Sequence, residues 1–292
     1  MGPISASDPN IYMASSIDGN TWSGAQQVLG ARTDVSPSLA APADLYLAWK
    51  GSGDQSLWWS RSSDGSTWRA PTAVPGSSNA SPCLAFVGFR LYMIWKGSEN
   101  DQNMWLSRLG NNYTWDNQKQ LSVGETSTGP ALTGVGNTFY LAWKGSGSDQ
   151  AIWFSNSSDY GDTWAAQQQV AGTSTDVSPA LIAHRGILYL AWKNATDATI
   201  WCISTTNGST WSASEPVPGT STDGSPALAS FNGIMYLAWK GGDNQSLWYS
   251  STTDSSTWSA PQPVPGAKTG VGPAMTTFNQ ALYLAWDPVS SQ

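Results

Sequence analysis

The sequence predicts an all-β fold: a six-bladed β-propeller of four-stranded antiparallel blades, closed two-plus-two by the N- and C-terminal strands. One tryptophan-rich unit recurs six times along the 292-residue chain, with a spacing of 46 to 49 residues. Each unit contains four short runs rich in Leu, Tyr and Trp that are separated by Gly, Asn, Asp and Ser, without helical periodicity. Four strands in roughly 40 to 50 residues are typical of a propeller blade.

Three aromatic positions mark every unit and hold 17 of the 18 tryptophans. The second strand carries Trp49, Trp95, Trp143, Trp192, Trp239 and Trp286. The third strand carries Tyr12, Trp58, Trp105, Trp153, Trp201 and Trp248. The turn before the fourth strand ends at Trp22, Trp68, Trp115, Trp164, Trp211 and Trp258.

The strands of one unit are designated A to D from the propeller axis outward, and the fifth unit shows them in order. Strand A is SPALA from Ser225, strand B is IMYLAW from Ile234, strand C is SLWYS from Ser246, and strand D follows from Thr257. Both alternating faces of strand B are apolar. This indicates a sheet that is covered by a neighbouring blade on each side.

The two ends of the chain supply complementary halves of a blade. The chain begins with two C- and D-like runs, IYMAS and TWSGAQQV, and finishes with two A- and B-like runs, GPAMT and ALYLAW. Joined, they form a sixth blade and remove the exposed edges of an open array. No linker interrupts the rhythm, so residues 1–292 are predicted to be a single propeller domain of six repeats of about 47 residues.

Composition limits the classes of partner. The net charge is −7, the pI is about 4.5 and no cluster of Lys and Arg occurs, which argues against nucleic acid and an anionic membrane as partners. No apolar run is long enough to span a membrane, so no membrane insertion is expected. Cys83 and Cys202 lie in different repeats and are expected to be buried free thiols rather than a disulfide. No cofactor or metal is predicted, because His184 is the only histidine. The localisation and the oligomeric state stay open, although the start of the chain shows no signal-peptide pattern.

The C–D turn has a recurring pattern that includes SIDGNTW, SSDGSTW and SSDYGDTW, whereas LGNNYTW has largely lost it. An Asp or Asn in such a turn accepts hydrogen bonds from backbone amides, and Gly adopts a positive φ. We therefore expect a structural role for Asp18, Asp64, Asp159 and Asp254. The pattern resembles the Asp-box of bacterial sialidases, and that resemblance implies a position away from the ligand.

The B–C turns and the D–A links share the other face and carry a second recurring set. Each B-strand Trp of the first five units precedes a Lys, and an acid follows a few residues later. The D–A links place Asp34, Asn79, Ser127, Asp176 and Asp223 three residues before a proline. Carboxylate, ammonium and aromatic groups together suit the hydroxyls and the C–H face of a sugar. The predicted carbohydrate-binding residues are Trp49, Lys50, Asp54, Gln55 and Trp58; Trp95, Lys96, Asp101, Gln102 and Trp105; Trp143, Lys144, Asp149, Gln150 and Trp153; and Trp239, Lys240, Asp243, Gln245 and Trp248.

Two alternatives compete with this interpretation of the B–C turns. Lys50 and Asp54 are also compatible with a simple ion pair across their hairpin turn, which is worth about 0–1 kcal/mol when exposed. The B-strand tryptophans, such as Trp49, are also compatible with a core role between blades. In both cases the recurrence would reflect packing rather than ligand contact.

The distribution of the charged residues predicts that the protein is not an enzyme. Glycoside hydrolysis needs a specific pair of carboxylates with different pKa values. Here 13 of the 17 Asp residues recur at three turn positions, only three Glu are present, and the six Arg are scattered without a sialidase-like setting. No catalytic residue is therefore predicted.

Four motifs resemble the propeller lectins of the Photorhabdus type: LYLAWKG, the DQ-x-LW turn, the short S-x-DG-x-TW box and the SPALA strand. The resemblance spans the whole chain, although those lectins have seven blades and this sequence has six units. It implies sites between neighbouring blades for fucose or related, including O-methylated, monosaccharides. The sequence thus predicts a multivalent lectin that binds monosaccharide termini of cell-surface glycoconjugates. The alternative is a catalytically inactive, sialidase-like propeller that serves as a protein-binding scaffold or a toxin-targeting module.

Overall fold

A computed structural model describes residues 10–289, which form 24 strands in six separate four-stranded antiparallel sheets. The chain starts with β1 (Asn10–Ser16) and β2 (Gln26–Arg32). Blade 1 contains β3 (Ser38–Ala40), β4 (Leu45–Lys50), β5 (Ser56–Ser62) and β6 (Thr72–Ser77). Blade 2 contains β7 (Cys83–Val87), β8 (Arg90–Lys96), β9 (Asn103–Arg108) and β10 (Lys119–Glu125). The predicted six-bladed propeller is confirmed.

The remaining blades follow the same order. Blade 3 contains β11 (Ala131–Val135), β12 (Thr138–Lys144), β13 (Ile152–Ser157) and β14 (Gln168–Gln169). Blade 4 contains β15 (Ala180–His184), β16 (Ile187–Lys193), β17 (Ile200–Thr205) and β18 (Glu215–Pro216). Blade 5 contains β19 (Ala227–Phe231), β20 (Ile234–Lys240), β21 (Ser246–Thr252) and β22 (Gln262–Lys268). Blade 6 combines β23 (Ala274–Phe278) and β24 (Ala281–Trp286) with β1 and β2.

The A strands form the inner ring of the propeller. Each of β3, β7, β11, β15, β19 and β23 contacts the A strand of both neighbouring blades. The prolines that directly precede the A strands line an axial channel of about 140 Å³. The repeated proline therefore lies where six strands converge, just before the first residue of each strand, where a missing backbone N–H costs no ladder hydrogen bond.

The core consists of six equivalent apolar clusters, one at each junction between blades. Each cluster contains the B-strand Trp of one blade, and Trp49, Trp95, Trp143, Trp192, Trp239 and Trp286 are at most 2% exposed. The box tryptophans pack against the same clusters, or belong to them in the case of Trp115. Strand β4 is buried along its whole length, as the apolar pattern of both its faces predicts.

The two-plus-two closure of blade 6 is also confirmed. Strand β1 pairs with β24 from Tyr12↔Trp286 to Ser16↔Leu282, and β24 pairs with β23. The first and last described strands therefore lie in the centre of one sheet. The ring is closed by backbone hydrogen bonds between the two ends of the chain.

The C–D turn of each blade contacts the preceding blade. In blade 1, Asp64 Oδ1 accepts hydrogen bonds from the amides of Ser66 (2.8 Å) and Thr67 (2.7 Å). Gly65 adopts φ +80°, and a Cβ atom at this position would overlap the hydroxyl of Tyr283 in blade 6. The box is thus a tight turn that fits against a neighbouring tyrosine, which confirms the structural role expected from the sequence.

The two cysteines are separate, free thiols in blades 2 and 4. Burial raises the pKa of Cys83 to about 11 and that of Cys202 to about 12. Both side chains therefore remain protonated at neutral pH and have little nucleophilic character. Within residues 10–289 there is no helix of the length and hydropathy that a membrane span requires.

Closure by the last strand can be tested by truncation. Removal of residues 281–292 eliminates β24 and leaves both β1 and β23 without their central partner. We expect cooperative unfolding to be lost, or the Tm to fall by tens of degrees, because the ring can no longer close. The two exposed strand edges should also promote association between molecules. Differential scanning calorimetry of the truncated and full-length proteins measures this, and equal Tm values would contradict the closure.

The role of the box glycine can be tested with a matched pair of substitutions. Gly65 and Gly53 have nearly the same φ, +80° and +79°, but only Gly65 faces another blade, whereas Gly53 has open space around it. Gly53→Ala should cost only the backbone strain of roughly 1–2 kcal/mol. Gly65→Ala should cost clearly more, because the methyl group also displaces Tyr283. Urea unfolding compares the two, and equal free energies of unfolding would show that the box does not lock the junction.

Candidate functional site

The turns fall on two opposite faces, as predicted. The rim face consists of the B–C turns and the D–A links, and the box face consists of the A–B and C–D turns. On the rim face each D–A link bonds to the B–C turn that precedes it, for example from Ser78 N to Gln55 O (2.9 Å). The same face also connects neighbouring blades, for example from Ser52 N to Arg32 O (3.1 Å).

The five rim lysines are buried and bind to the D–A links. Lys50 Nζ lies 2.5 and 2.8 Å from the carboxylate oxygens of Asp34. Lys193 lies 2.7 and 2.8 Å from those of Asp176, and Lys240 pairs with Asp223. The hairpin pair of Lys50 with Asp54 is therefore wrong, because the lysine points inward to the link rather than outward along the turn.

Blades 2 and 3 replace this carboxylate with a neutral acceptor. Lys96 Nζ donates to Asn79 Oδ1 (2.8 Å), and Lys144 Nζ donates to Ser127 Oγ (2.7 Å). Each ammonium also has three backbone carbonyl oxygens within 3.4 Å. An ammonium has three N–H donors, so these contacts use all of them. Burial lowers the pKa of both Lys96 and Lys144. The donors of Lys96 and Lys144 are therefore used within the rim, and all five rim lysines bond to the D–A links.

The acids of the B–C turns cap their own hairpins. Asp54 Oδ1 accepts the Ser56 amide at 2.8 Å, and Asp101 and Asp149 also accept the indole N–H of Trp105 and Trp153 at 2.8 Å. In blade 5 the capping oxygen belongs to Asn244, which accepts the Ser246 amide at 3.0 Å. Asp243 lies one residue earlier, so it is not the counterpart of Asp54 that the sequence pattern suggested.

The predicted aromatic residues of the rim separate into two groups. Trp49, Trp95, Trp143 and Trp239 are buried in the blade junctions and present no ring face to solvent. Trp58, Trp105, Trp153 and Trp248 are partly exposed, each packed against the edge of a junction cluster. The rim therefore offers the C-strand tryptophans, and not the B-strand ones, as surfaces for a ligand.

The rim glutamines lie beside these partly exposed tryptophans and bridge between turns. Gln102 Oε1 accepts the amide of Gly147 in the next blade at 2.8 Å. Gln150 Oε1 accepts the hydroxyl of Ser174 at 3.3 Å. The backbone carbonyls of Gln55 and Gln245 accept link amides; Gln55 is partly exposed and Gln245 is exposed.

The box face holds three equivalent clefts that the sequence interpretation missed. They lie between blades 2 and 3, blades 4 and 5, and blades 6 and 1, with volumes of about 460, 320 and 130 Å³. Each is lined by the B-strand tyrosine of one blade, by its C strand and D segment, and by the box of the next blade. The tyrosines are Tyr92, Tyr189 and Tyr283. Every LYLAW-like strand contains this Tyr, so the recurring residue was visible in the sequence. A tyrosine in such an apolar strand, however, is equally expected from packing between blades.

The clefts combine aromatic surface with small polar groups. Trp258 and Trp68, both partly exposed, line the second and third clefts. Serines, glutamines and acidic side chains complete the walls. An apolar ring face beside several hydrogen-bonding groups is the arrangement that orients a small polar ligand.

The box carboxylates are committed to their turns. Backbone amides, first that of Thr67 and then that of Ser66, hold the pKa of Asp64 well below its usual range. The hydroxyl and amide of Thr163 lower the pKa of Asp159 to about 2. Carboxylates with such low pKa values do not act as general acids near neutral pH.

The axial mouth on the rim face is a further concave region of about 330 Å³. Its charged lining residues are Asp176, Asp223 and Lys240, and no Arg, Glu or Tyr lines it within residues 10–289. Both carboxylates are engaged by buried lysines. In the described part of the chain, no group of three or more His, Cys, Asp or Glu is arranged to hold a metal ion.

Solved structures with a similar fold include sialidases and a fucose-specific lectin. A Hadza microbial sialidase matches with a TM-score of 0.62 and 13% identity over 87% of this chain and 65% of that protein, so the chain spans less than two thirds of it. The NanB sialidase from Streptococcus pneumoniae matches with a TM-score of 0.60 and 10% identity over 86% and 68%. A fucose-specific lectin from Aleuria aurantia matches with a TM-score of 0.59 and 13% identity over 85% and 86%.

These similarities establish the propeller fold. No protein-family model matches the sequence, and a search of curated proteins finds no significant match. At 10 to 13% identity a common fold does not carry a common activity.

The box carboxylates predict a defined pH dependence. Because the pKa of Asp64 is lowered by folding, its ionised form stabilises the protein above the unfolded pKa of about 4, and this contribution is lost as the pH falls further. In blade 4 the equivalent residue, Asn207, accepts the corresponding amides of Ser209 and Thr210 at 2.9 Å and does not titrate. Asp64→Asn should therefore lower the Tm slightly at pH 7, and the difference from the wild type should shrink toward pH 2. A difference that stays constant across this range would contradict the assignment.

Proposed function

We propose that the protein is a multivalent carbohydrate-binding protein, a lectin, with sites at the junctions between blades. The observation that carries this proposal is the recurrence of one aromatic and polar cleft at three junctions of the box face. A monosaccharide has an apolar C–H face and a set of hydroxyls. The ring of Trp258 or Trp68 suits the first, and the serines, glutamines and carboxylates suit the second.

The rim face supplies a second set of candidate positions. The partly exposed C-strand tryptophans Trp58, Trp105, Trp153 and Trp248 lie next to Gln55, Gln102, Gln150 and Gln245, close to the links of the neighbouring blade. These residues support shallow sites of the kind expected from the sequence. The lysines and the B-strand tryptophans serve the framework of such sites rather than the contact surface.

Fucose or a related, including O-methylated, monosaccharide is the proposed ligand. The LYLAWKG and DQ-x-LW motifs resemble Photorhabdus-type lectins, and a fucose-specific lectin shares the fold. The proposal includes no catalytic role. The carboxylates in the axial mouth pair with lysines and those of the boxes bond to backbone amides, so in this proposal both sets serve the framework.

Several weak sites acting together would give strong surface binding. A single shallow monosaccharide site has a Kd near millimolar, about 4 kcal/mol. Simultaneous occupation of several sites on one rigid ring adds roughly 10²–10⁴ in apparent affinity on a surface that displays many copies of the sugar. The protein should therefore agglutinate cells, or bind glycan-coated surfaces, far better than it binds free sugar.

The test is titration with methyl α-L-fucoside combined with surface binding to immobilised fucose. Millimolar binding of the free fucoside and at least 100-fold tighter binding to the dense surface are expected. Ser23→Arg and Ser212→Arg should each remove one box-face site, because the arginine fills the cleft between blades 6 and 1 or between blades 4 and 5. Arg69 occupies the same repeat position in blade 1, so the fold should accept the change.

The rim is tested in parallel by combining Asp54→Ala with Trp58→Ala, which should remove one rim site if that face is used. The Tm of each variant controls for folding. If no variant changes the number of sites and glycan arrays stay blank, the protein-binding scaffold replaces the lectin. Turnover of a fluorogenic fucoside or sialoside that is lost on Asp223→Asn would instead establish an enzyme.

A further inference from the structure

The cleft between blades 2 and 3 differs from the other two box-face clefts in its charge. Its lining includes Arg90, Arg108 and Lys119 together with Asp116 and Asp162, a formal charge of +1. The cleft between blades 4 and 5 contains two carboxylates, those of Glu215 and Asp254, and the cleft between blades 6 and 1 contains that of Asp64, with no Lys or Arg in either. In a chain with a net charge of −7, the positive cleft is a local exception to the overall field.

Arg90 is the source of the uncompensated charge. Arg108 pairs with Asp116 and Lys119 pairs with Asp162, both at 2.8 Å. Arg90 instead donates to the neutral side-chain oxygen of Asn111, and no ion pair to it occurs within residues 10–289. A guanidinium carries five N–H donors, so this group retains donors for a planar, bidentate anion such as a carboxylate.

Two tyrosines flank this positive charge. Tyr92 lies on strand B of blade 2, and Tyr160 lies in the box of blade 3. Tyr160 belongs to SSDYGDTW, which is one residue longer than SSDGSTW of blade 1. It adopts φ +63° and is 41% exposed, although this conformation is uncommon for a bulky residue. Gly88 leaves room for the ring, because a Cβ atom there would overlap it.

We propose that the cleft between blades 2 and 3 binds a saccharide that carries a carboxylate, namely a hexuronic acid at the end of a glycan. Arg90 would bind the carboxylate, the ring of Tyr160 would contact the C–H face, and Asn117 with Asp116 would accept the hydroxyls. The volume of about 460 Å³ lies within the usual range of small-ligand sites, roughly 300–1,000 Å³. This inference rests on the proposed function and assigns one of its sites to a different ligand class.

The test compares methyl β-D-glucuronide with methyl β-D-glucoside by calorimetric titration at low salt. The two probes differ only at C6, which is a carboxylate in the glucuronide and a hydroxymethyl group in the glucoside. The ratio of their Kd values therefore measures the contribution of the carboxylate to binding. We expect about tenfold tighter binding of the glucuronide at one site per chain, and a smaller ratio at high salt. Arg90→Gln should abolish the preference, so that the glucuronide and the glucoside bind with equal affinity.

Two further variants separate the charge effect from folding. Arg185→Gln is the matched control: Arg185 occupies the A–B turn of blade 4, contacts Gly233 O (2.6 Å) and lines none of the three clefts. It should leave the preference intact. Asp162→Ser introduces the residue that blades 1 and 5 carry, Ser66 and Ser256, and raises the charge of the cleft. It should tighten glucuronide binding by several-fold, an increase that a damaged fold cannot produce.

The possible outcomes distinguish this site from the general function. Equal affinities for glucuronide and glucoside in the wild type overturn the inference, and fucoside binding at the other clefts would still support the lectin. Acetate that competes as well as the glucuronide shows simple anion capture and also overturns it. If the glucuronide binds and no neutral sugar does, this inference holds and the proposal for the neutral clefts fails. If no sugar binds at all, both proposals fail.

Discussion

The packing of one tryptophan from each blade against the next blade is the constraint on which the molecule depends. Trp49 and its five counterparts are buried, and each belongs to a separate cluster at one junction. A single sheet of four strands cannot bury both its faces alone, so each blade is stable only between two neighbours. A fully buried aromatic side chain contributes several kilocalories per mole, and its loss typically costs about 3–5 kcal/mol. The recurrence of this B-strand tryptophan therefore follows from six equivalent junctions between blades.

Polar contacts then fix how the blades meet. On the rim face each buried lysine ties a B strand to the D–A link that leads into its own blade, as Lys50 does with Asp34. On the box face each capped turn fits against the preceding blade, as Gly65 does against Tyr283. Because repeated charged residues are used for these ties, the residues that stand out in the sequence are largely occupied. In the function we propose, ligand contacts therefore fall to less regular side chains in the spaces between these contacts.

The architecture could be predicted from the sequence because each repeat corresponds to one blade. The period, the four apolar runs and the split unit at the chain ends correspond directly to blades, strands and closure. The candidate site was harder to predict. Burial distinguishes Trp49 from Trp58, and the partner of Lys50 lies 16 residues away in a link, so neither follows from local spacing. In blade 5 a neutral Asn244 replaces the capping acid, and the neighbouring Asp243 drew attention only because it is charged. The box-face clefts depend on two adjacent blades, which no single repeat shows.

The joint between β1 and β24 has a consequence for how the chain reaches its folded state. Its partners are separated by about 270 residues, so the first strand leaves the ribosome long before its neighbour exists. Until synthesis ends, β1 presents an unsatisfied edge that can pair with a strand of another chain. Contacts this distant in sequence also form slowly, because a long loop must close before they gain free energy. An incomplete ring is therefore the most association-prone species, and two completed chains that meet before their rings close can exchange their terminal strands. Production at low temperature, where synthesis is slow and nascent chains are dilute, favours closure within one chain over exchange between two.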